Sequence, residues 1–219
     1  MSATTLDTEA IRSSALRGRR ERFMRIAIAA VLLFALGAGS AAAGPMTTQE
    51  RQRLIAHLEM TESWLVDEAS GLSPAQFQFR RAPDAWSILL VIEHLTITDP
   101  IYFQDLQKAL KTPLRTPAGF RDDAGILWYG IDRTPRGKAI PAEEPKGQLR
   151  DLQAGVDAFR KIHAQLLQYA RTTSDDLRGH VVEREGCDAY QWLLLISTHD
   201  QRHILQIRET KADPKFPKK

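Results

Sequence analysis

Four stretches of the chain repeat apolar residues every three or four positions, which is the spacing of one face of an α-helix. They lie between Thr47 and Ser70, between Ser87 and Leu110, between Gly147 and Thr172, and between Ala189 and Lys211. The pattern therefore predicts four amphipathic helices. No stretch alternates apolar and polar residues for long enough to predict a sheet.

The segments between these helices are rich in proline and glycine, which interrupt regular structure. The longest, residues 112–146, separates the second and third predicted helices, and a connection of this length often covers a functional site. Residues 175–188 form a shorter connector with a brief extended segment at Val181 and Val182. Pro100 falls inside the second predicted helix, where we expect a kink or an interruption.

These elements predict an all-α fold, a four-helix bundle with a long crossover connection between helices 2 and 3. With 219 residues, of which 43% are hydrophobic and 26% charged, the composition is that of an ordinary globular protein. It excludes collagen-like and low-complexity chains. We expect residues 44–219 to form one domain.

Residues 1–43 carry the three parts of a secretory signal peptide. An arginine-rich segment precedes the apolar run 26–38, and small residues follow as far as Ala43. Because the apolar and small residues together approach the ~20 positions that a bilayer requires, an uncleaved membrane anchor is the alternative. We favour cleavage before Gly44, since the strongly apolar run is short. The segment before Met24 is long for such a leader, so translation from Met24 is a further hypothesis.

The net charge of +3 is carried by the predicted signal peptide. Residues 1–43 hold six of the 30 basic and three of the 27 acidic residues, so the remainder is neutral. A groove that follows a nucleic-acid backbone needs a positive face, and we therefore predict no nucleic-acid partner. The single cysteine, Cys187, excludes an internal disulfide and a multi-cysteine metal site. Any metal ion must be held by histidine or carboxylate.

Three histidines are candidate metal ligands. His199 and His203 are four residues apart on the fourth predicted helix and so share a face. His94 lies in the apolar run of the second helix, where a buried imidazole needs a hydrogen bond or a metal ion. Three neutral imidazoles hold a divalent ion at ~2.0–2.1 Å and leave a fourth position for water or a thiolate, as in catalytic sites. The set suits zinc, nickel or ferrous iron. By spacing alone, ordinary surface or core histidines are the alternative.

Two further residues are candidates for the surroundings of the site. Gln206 follows His203 by nearly one helical turn and is placed to bind a substrate or a ligand imidazole. His57, on the first predicted helix, is placed to line the cavity, although an ordinary core or solvated histidine is the commoner role.

Four other titratable residues are predicted to lie at the surface. His163 and His180 have no partner motif. Glu93 and Asp200 directly neighbour the candidate ligands in sequence, and adjacent residues of a helix point about 100° apart. We therefore interpret these two carboxylates as surface charges rather than catalytic bases.

The residues around the histidines carry a family resemblance. It lies in Leu72-Ser73, Trp86-Ser87 and His94-Leu95, and in Tyr190-Gln191-Trp192-Leu193 followed by His199, His203, Gln206 and Ile207. In these motifs the chain resembles the DinB-like superfamily of metal-binding four-helix bundles, over essentially the whole of residues 44–219. The resemblance implies that His94, His199 and His203 are the metal ligands. Similar members include thiol S-transferases and isomerases that depend on bacterial low-molecular-weight thiols.

The sequence thus predicts an exported, periplasmic or secreted enzyme that acts on a small-molecule substrate through a divalent metal ion. Membrane contact is expected only through the export signal, and a homodimer is compatible with the sequence. We favour hydrolysis over thiol transfer, because such thiols are kept mainly inside cells. The alternative is a non-catalytic periplasmic protein that binds a metal or a ligand, or acts in stress.

Two other metalloprotein classes fit the histidine motif poorly. The run HDQRH resembles the metalloprotease motif H-E-x-x-H, but Asp200 replaces the glutamate base and is one methylene shorter. A di-iron bundle needs paired Glu-x-x-His motifs, and no glutamate of the chain has a histidine three residues later. We therefore reject the di-iron class and disfavour the protease.

Overall fold

The computed structural model describes residues 44–115 and 122–218. In chain order the elements are α1 (Thr48–Ala69), α2 (Pro74–Gln78), α3 (Ile88–Ala109), α4 (Asp123–Ile131), α5 (Leu152–Thr172), β1 (Val181–Val182), β2 (Cys187–Asp188) and α6 (Ala189–Lys211). The two short strands pair antiparallel. The four long helices α1, α3, α5 and α6 confirm the predicted four-helix bundle with its long crossover between the second and third of them.

The predicted signal peptide, residues 1–43, lies outside the described residues. Within the part of the chain that the structure describes, no helix combines the length and the apolar character needed to cross a bilayer.

Capping side chains fix where the long helices begin. At the start of α1, the Thr47 hydroxyl accepts the N–H of Glu50, and the Glu50 carboxylate accepts the N–H of Thr47. Asp188 and Gln191 form the same reciprocal pair at the start of α6, and Ser87 caps α3. Such caps satisfy N–H groups that have no partner within the helix. The caps at Ser87 and Asp188 thus fix where α3 and α6, the two helices that carry the candidate ligands, begin.

The predicted interruption at Pro100 does not occur, because α3 continues through this residue to Ala109. A proline inside a helix costs about 3 kcal/mol, since it removes one backbone hydrogen bond and crowds the preceding turn. Residues on both sides of Pro100, including His94 and Tyr102, are buried, and α3 packs against α5 and α6. This packing holds the two halves of α3 in one helix.

The crossover contains a helix that the sequence pattern did not predict. Asp122 caps α4, and Ile126 is its buried apolar residue. At Gly130, an added Cβ atom would lie 2.9 Å from the Thr198 carbonyl oxygen and 2.7 Å from Oε1 of Gln201. The absence of a side chain at Gly130 therefore lets α4 lie directly on α6.

Helix α6 is the centre of the molecule. It contacts α1 and α3 inside the bundle and α4 on its outer side, while α5 packs against α1 and α3. Of the 23 residues in α6, 17 are buried, including polar residues on several sides of the helix. Many residues of α6 that point away from the bundle axis therefore meet α4 rather than solvent.

The structure corrects the surface assignments made from the sequence. His163 and Asp200 are fully buried, Glu93 is 4% exposed, and His180 is half-buried. The expected angle between neighbouring helical residues is correct, but α3 and α6 are covered in most directions. Glu93 uses its carboxylate to accept the backbone N–H groups of Lys146 and Gln148, at 3.0 and 2.9 Å.

Candidate metal centre

The side chains of His94, His199 and His203 meet between α3 and α6. Nε2 of His199 lies 3.3 Å from Nε2 of His94 and 3.1 Å from Nε2 of His203. An ion held tetrahedrally with bonds of about 2.0–2.1 Å requires its ligand atoms to be about 3.3–3.4 Å apart. Among the described residues, no fourth histidine, cysteine or carboxylate joins this group. The spacing therefore fits one ion with three protein ligands.

Hydrogen bonds on the far side of two rings orient them for metal binding. Nδ1 of His94 donates to the carbonyl oxygen of Glu143 at 2.7 Å, and Nδ1 of His203 donates to Oε1 of Gln206 at 2.9 Å. Because both acceptors are oxygens without a proton, each ring carries its hydrogen on Nδ1 and leaves Nε2 bare. This arrangement is typical of histidines that bind a metal through Nε2.

The bare nitrogens cannot satisfy one another. Two lone pairs, from His94 and His203, face Nε2 of His199, and one proton on His199 would serve only one of them. Nδ1 of His199 is buried without a hydrogen-bond partner. A cation between the three Nε2 atoms accommodates all the lone pairs, so the residues present fit a metal ion.

The electrostatic setting keeps the three rings in the form that binds metal. Burial lowers the pKa of His199 and His203 well below its usual value, and the charges of neighbouring histidines lower it further. Burial also lowers the pKa of His94, although its hydrogen bond to Glu143 opposes the shift. All three imidazoles are therefore neutral at neutral pH, as metal coordination requires.

Aromatic rings enclose the centre on two sides. The ring of Trp86 lies 4.9 Å from that of His94 and 6.2 Å from that of His203, between centroids. The ring of Tyr102 lies 5.4 Å from that of His199. His94 and His199 are 2% and 5% exposed, whereas His203 is only half-buried. The structure therefore shields two ligands fully and leaves the third beside the solvent.

The crossover supplies residues of the site that sequence reasoning missed. Its residue Glu143 is buried, and its backbone carbonyl holds His94 while its carboxylate pairs with Arg184. The Arg184 guanidinium in turn lies 4.9 Å from the ring centre of Tyr102. The only sequence signal for this arrangement is the length of the crossover, which predicted a covered site without identifying Glu143.

Gln206 lies in the position that its spacing from His203 predicts, whereas His57 lies elsewhere. Nδ1 of His57 is 2.6 Å from the Ser197 hydroxyl, and Nε2 is 3.2 Å from Oε1 of Gln201. Both ring nitrogens are thus engaged between α1 and α6. The structure brings together His94, His199, His203 and Gln206 and places His57 on other partners.

Comparisons with known proteins agree with the four-helix-bundle fold. The model of the DinB superfamily matches residues 46–207. No curated protein matches the chain. Among solved structures, the chain is similar to YfiT from Bacillus subtilis, described as a probable metal-dependent hydrolase with an unusual four-helix bundle topology. The two are 15% identical, with 79% of this chain and 90% of that chain covered and a TM-score of 0.52, which is a likeness of fold.

Proposed function

Because the chain belongs to the DinB superfamily, we propose that it is a metal-dependent enzyme whose His94, His199 and His203 hold one divalent ion. The observation that carries this proposal is the convergence of three Nε2 atoms: that of His199 lies 3.3 Å from that of His94 and 3.1 Å from that of His203. Zinc, nickel and ferrous iron all suit three imidazoles. Small molecules are the proposed substrates, and hydrolysis is the proposed reaction.

The bound ion would supply Lewis acidity and lower the pKa of a coordinated water to about 7. The residues of the chain prepare the site for this chemistry. Gln206 and the Glu143 carbonyl fix the His203 and His94 rings. Trp86 and Tyr102 exclude water from the flanks, and burial raises the pKa of Tyr102, which stays a neutral phenol. The half-buried His203 marks the side from which a substrate approaches.

Metal reconstitution tests the proposed reaction. The protein stripped by a chelator and reloaded with zinc, nickel or ferrous iron should hydrolyse ester, amide or phosphoester probes, and the His203→Ala variant should not. His57→Ala is the matched control and should retain the activity, because His57 contacts Ser197 and Gln201 instead. Turnover only after addition of a low-molecular-weight thiol would favour thiol transfer. A loaded protein without any turnover would favour the non-catalytic binding protein.

We also propose that the protein is exported and acts outside the cytoplasm. The support is the order of arginine-rich, apolar and small residues in positions 1–43, which is that of a secretory signal peptide. Mass spectrometry of the protein recovered from the periplasm or medium should show Gly44 as its first residue. Recovery of an intact chain beginning at Met1 or Met24 would contradict cleavage, and recovery only from the cytoplasm would contradict export.

A further inference from the structure

A second cluster of ligand-type side chains lies at the centre of the bundle. It consists of Asp99 on α3, His163 on α5 and Asp200 on α6, and all three side chains are fully buried. Nε2 of His163 lies 3.0 Å from Oδ2 of Asp200, and one ligand atom of each residue lies within 4.8 Å of the other two. The cluster therefore joins three of the four long helices at one point.

Hydrogen bonding leaves this cluster unsatisfied. No hydrogen bond within 3.5 Å reaches either carboxylate oxygen of Asp99, Oδ1 of Asp200 or Nδ1 of His163. Asp99 has only weaker polar contacts with Thr98 and Asp200, and His163 has one with the Leu58 backbone. Buried polar atoms are paired in the great majority of cases, and an unpaired one costs about 1–3 kcal/mol or more. The two free oxygens of Asp99, beside the ring and the second carboxylate, indicate that a ligand completes the cluster.

Charge balance indicates that this ligand is a cation. Two ionised carboxylates beside a neutral imidazole carry two negative charges in a region from which water is excluded, which is strongly unfavourable. A divalent cation with two carboxylates and one neutral imidazole has no net charge.

We propose that Asp99, His163 and Asp200 bind a second divalent metal ion that stabilises the bundle. One nitrogen and two carboxylate oxygens suit zinc or manganese. The ligand atoms lie within 4.8 Å of one another and would have to approach to about 3.3–3.6 Å to bind an ion with bonds of about 2.0–2.2 Å. The Phe159 ring, 4.1 Å from that of His163 between centroids, supports the imidazole from one side. Because the cluster is closed to solvent, its ion is structural and is distinct from the one held by His94, His199 and His203.

Metal stoichiometry tests this site independently of any activity. Protein produced in medium with zinc and manganese should contain two equivalents of metal per chain, measured by elemental mass spectrometry. Asp99→Leu, which keeps a side chain of similar volume but offers no ligand, should contain one equivalent. Asp105→Leu is the matched control. It makes the same substitution on α3, where Asp105 pairs with Lys108 at 3.0 Å outside both clusters, and it should leave both equivalents in place.

The His203→Ala variant separates the two sites. If both exist, it retains one equivalent, and the combined Asp99→Leu and His203→Ala protein retains none. If Asp99→Leu does not fold, the His203→Ala variant alone still tests the second site. The complete absence of metal from His203→Ala would overturn that site. One equivalent in wild type that survives in His203→Ala and is lost in Asp99→Leu would support the second site and contradict the metal centre proposed above.

Release kinetics give a further readout. A chelator should remove the ion beside the half-buried His203 rapidly, and the ion at the fully buried cluster only as fast as the bundle unfolds. Wild-type protein with a single equivalent, released in one rapid phase and unchanged in Asp99→Leu, would overturn the proposal. In that case a proton shared by Asp99 and Asp200 would neutralise the cluster instead.

Discussion

Replacing His199 by alanine is expected to remove the metal ion from the three-histidine centre. His199 is the middle ligand, with its Nε2 atom 3.3 Å from that of His94 and 3.1 Å from that of His203. Loss of a residue that only supports a ligand typically lowers metal affinity by about 10–100-fold, so loss of the central ligand should cost more than about 100-fold. Competition with a chelator of known affinity measures the change.

His57→Ala provides the matched histidine control for this experiment. His57 is a half-buried histidine whose ring nitrogens bind Ser197 and Gln201, so its replacement perturbs α1 and α6 without touching the centre. It should leave the affinity within about threefold of wild type, since the groups that hold the three ligands are unchanged. Equal metal content in His199→Ala and wild type would remove the basis of the site assignment.

Local spacing predicted the long helices and made His199 and His203 candidate ligands, whereas the full set of three histidines was implied by the family resemblance. The recurrence of apolar residues places each α-helix, and a separation of four residues places His199 and His203 on one face. His94 followed from its position in an apolar run, since such a run must face the interior. That His94 meets the other two histidines depends on which helices are neighbours, and periodicity does not contain this information.

The sequence pattern could not predict which elements cover α6, because these contacts join residues that are far apart in the chain. Periodicity gives the direction of the Asp200 side chain relative to His199, but not the element that lies in that direction. That element is fixed by long-range packing: α5 places His163 against Asp200, and α4 covers the other side of α6. The nine-residue α4 is itself recognisable only in context, because Gly130 weakens its helix propensity and yet permits its contact with α6.

Replacing Arg178 by methionine is expected to lower the free energy of unfolding by about 3 kcal/mol, because buried charges lose their partner. The Arg178 side chain is 8% exposed and donates to the carboxylates of Glu50, Asp123 and Asp188, at 2.6, 2.7 and 2.9 Å. These acids belong to α1, to α4 and to the residue that caps α6. One guanidinium therefore connects α4, the helix of the crossover, to the first turn of α1 and to the start of α6.

The cost of this substitution should diminish at low pH. Burial opposes the ionisation of Glu50 and Asp123, but hydrogen bonds outweigh it and lower the pKa of both acids. At Glu50 they come first from the Thr47 N–H and then from Arg178, and at Asp123 mainly from Arg178. An acid with a lowered folded-state pKa stabilises the protein above its unfolded pKa of about 4, and this contribution is lost as the pH falls through the folded-state value. Asp188 acts in the opposite sense, since burial raises its pKa despite Arg178. Because the pKa of Glu50 and of Asp123 is lowered, we predict that the free energies of unfolding of wild type and Arg178→Met converge below about pH 4.

Arg171→Met provides a control in which the arginine–carboxylate distance is similar but the ion pair is exposed to solvent. Arg171 lies 2.7 Å from the carboxylate of Glu59, but the two side chains are 49% and 52% exposed. An exposed pair contributes about 0–1 kcal/mol, so this variant should unfold close to wild type. Urea unfolding of the three proteins, at neutral pH and at about pH 3, separates the two cases. If Arg178→Met were as stable as Arg171→Met at neutral pH, apolar packing at Ile126 and the close approach at Gly130 would suffice to hold α4 on α6.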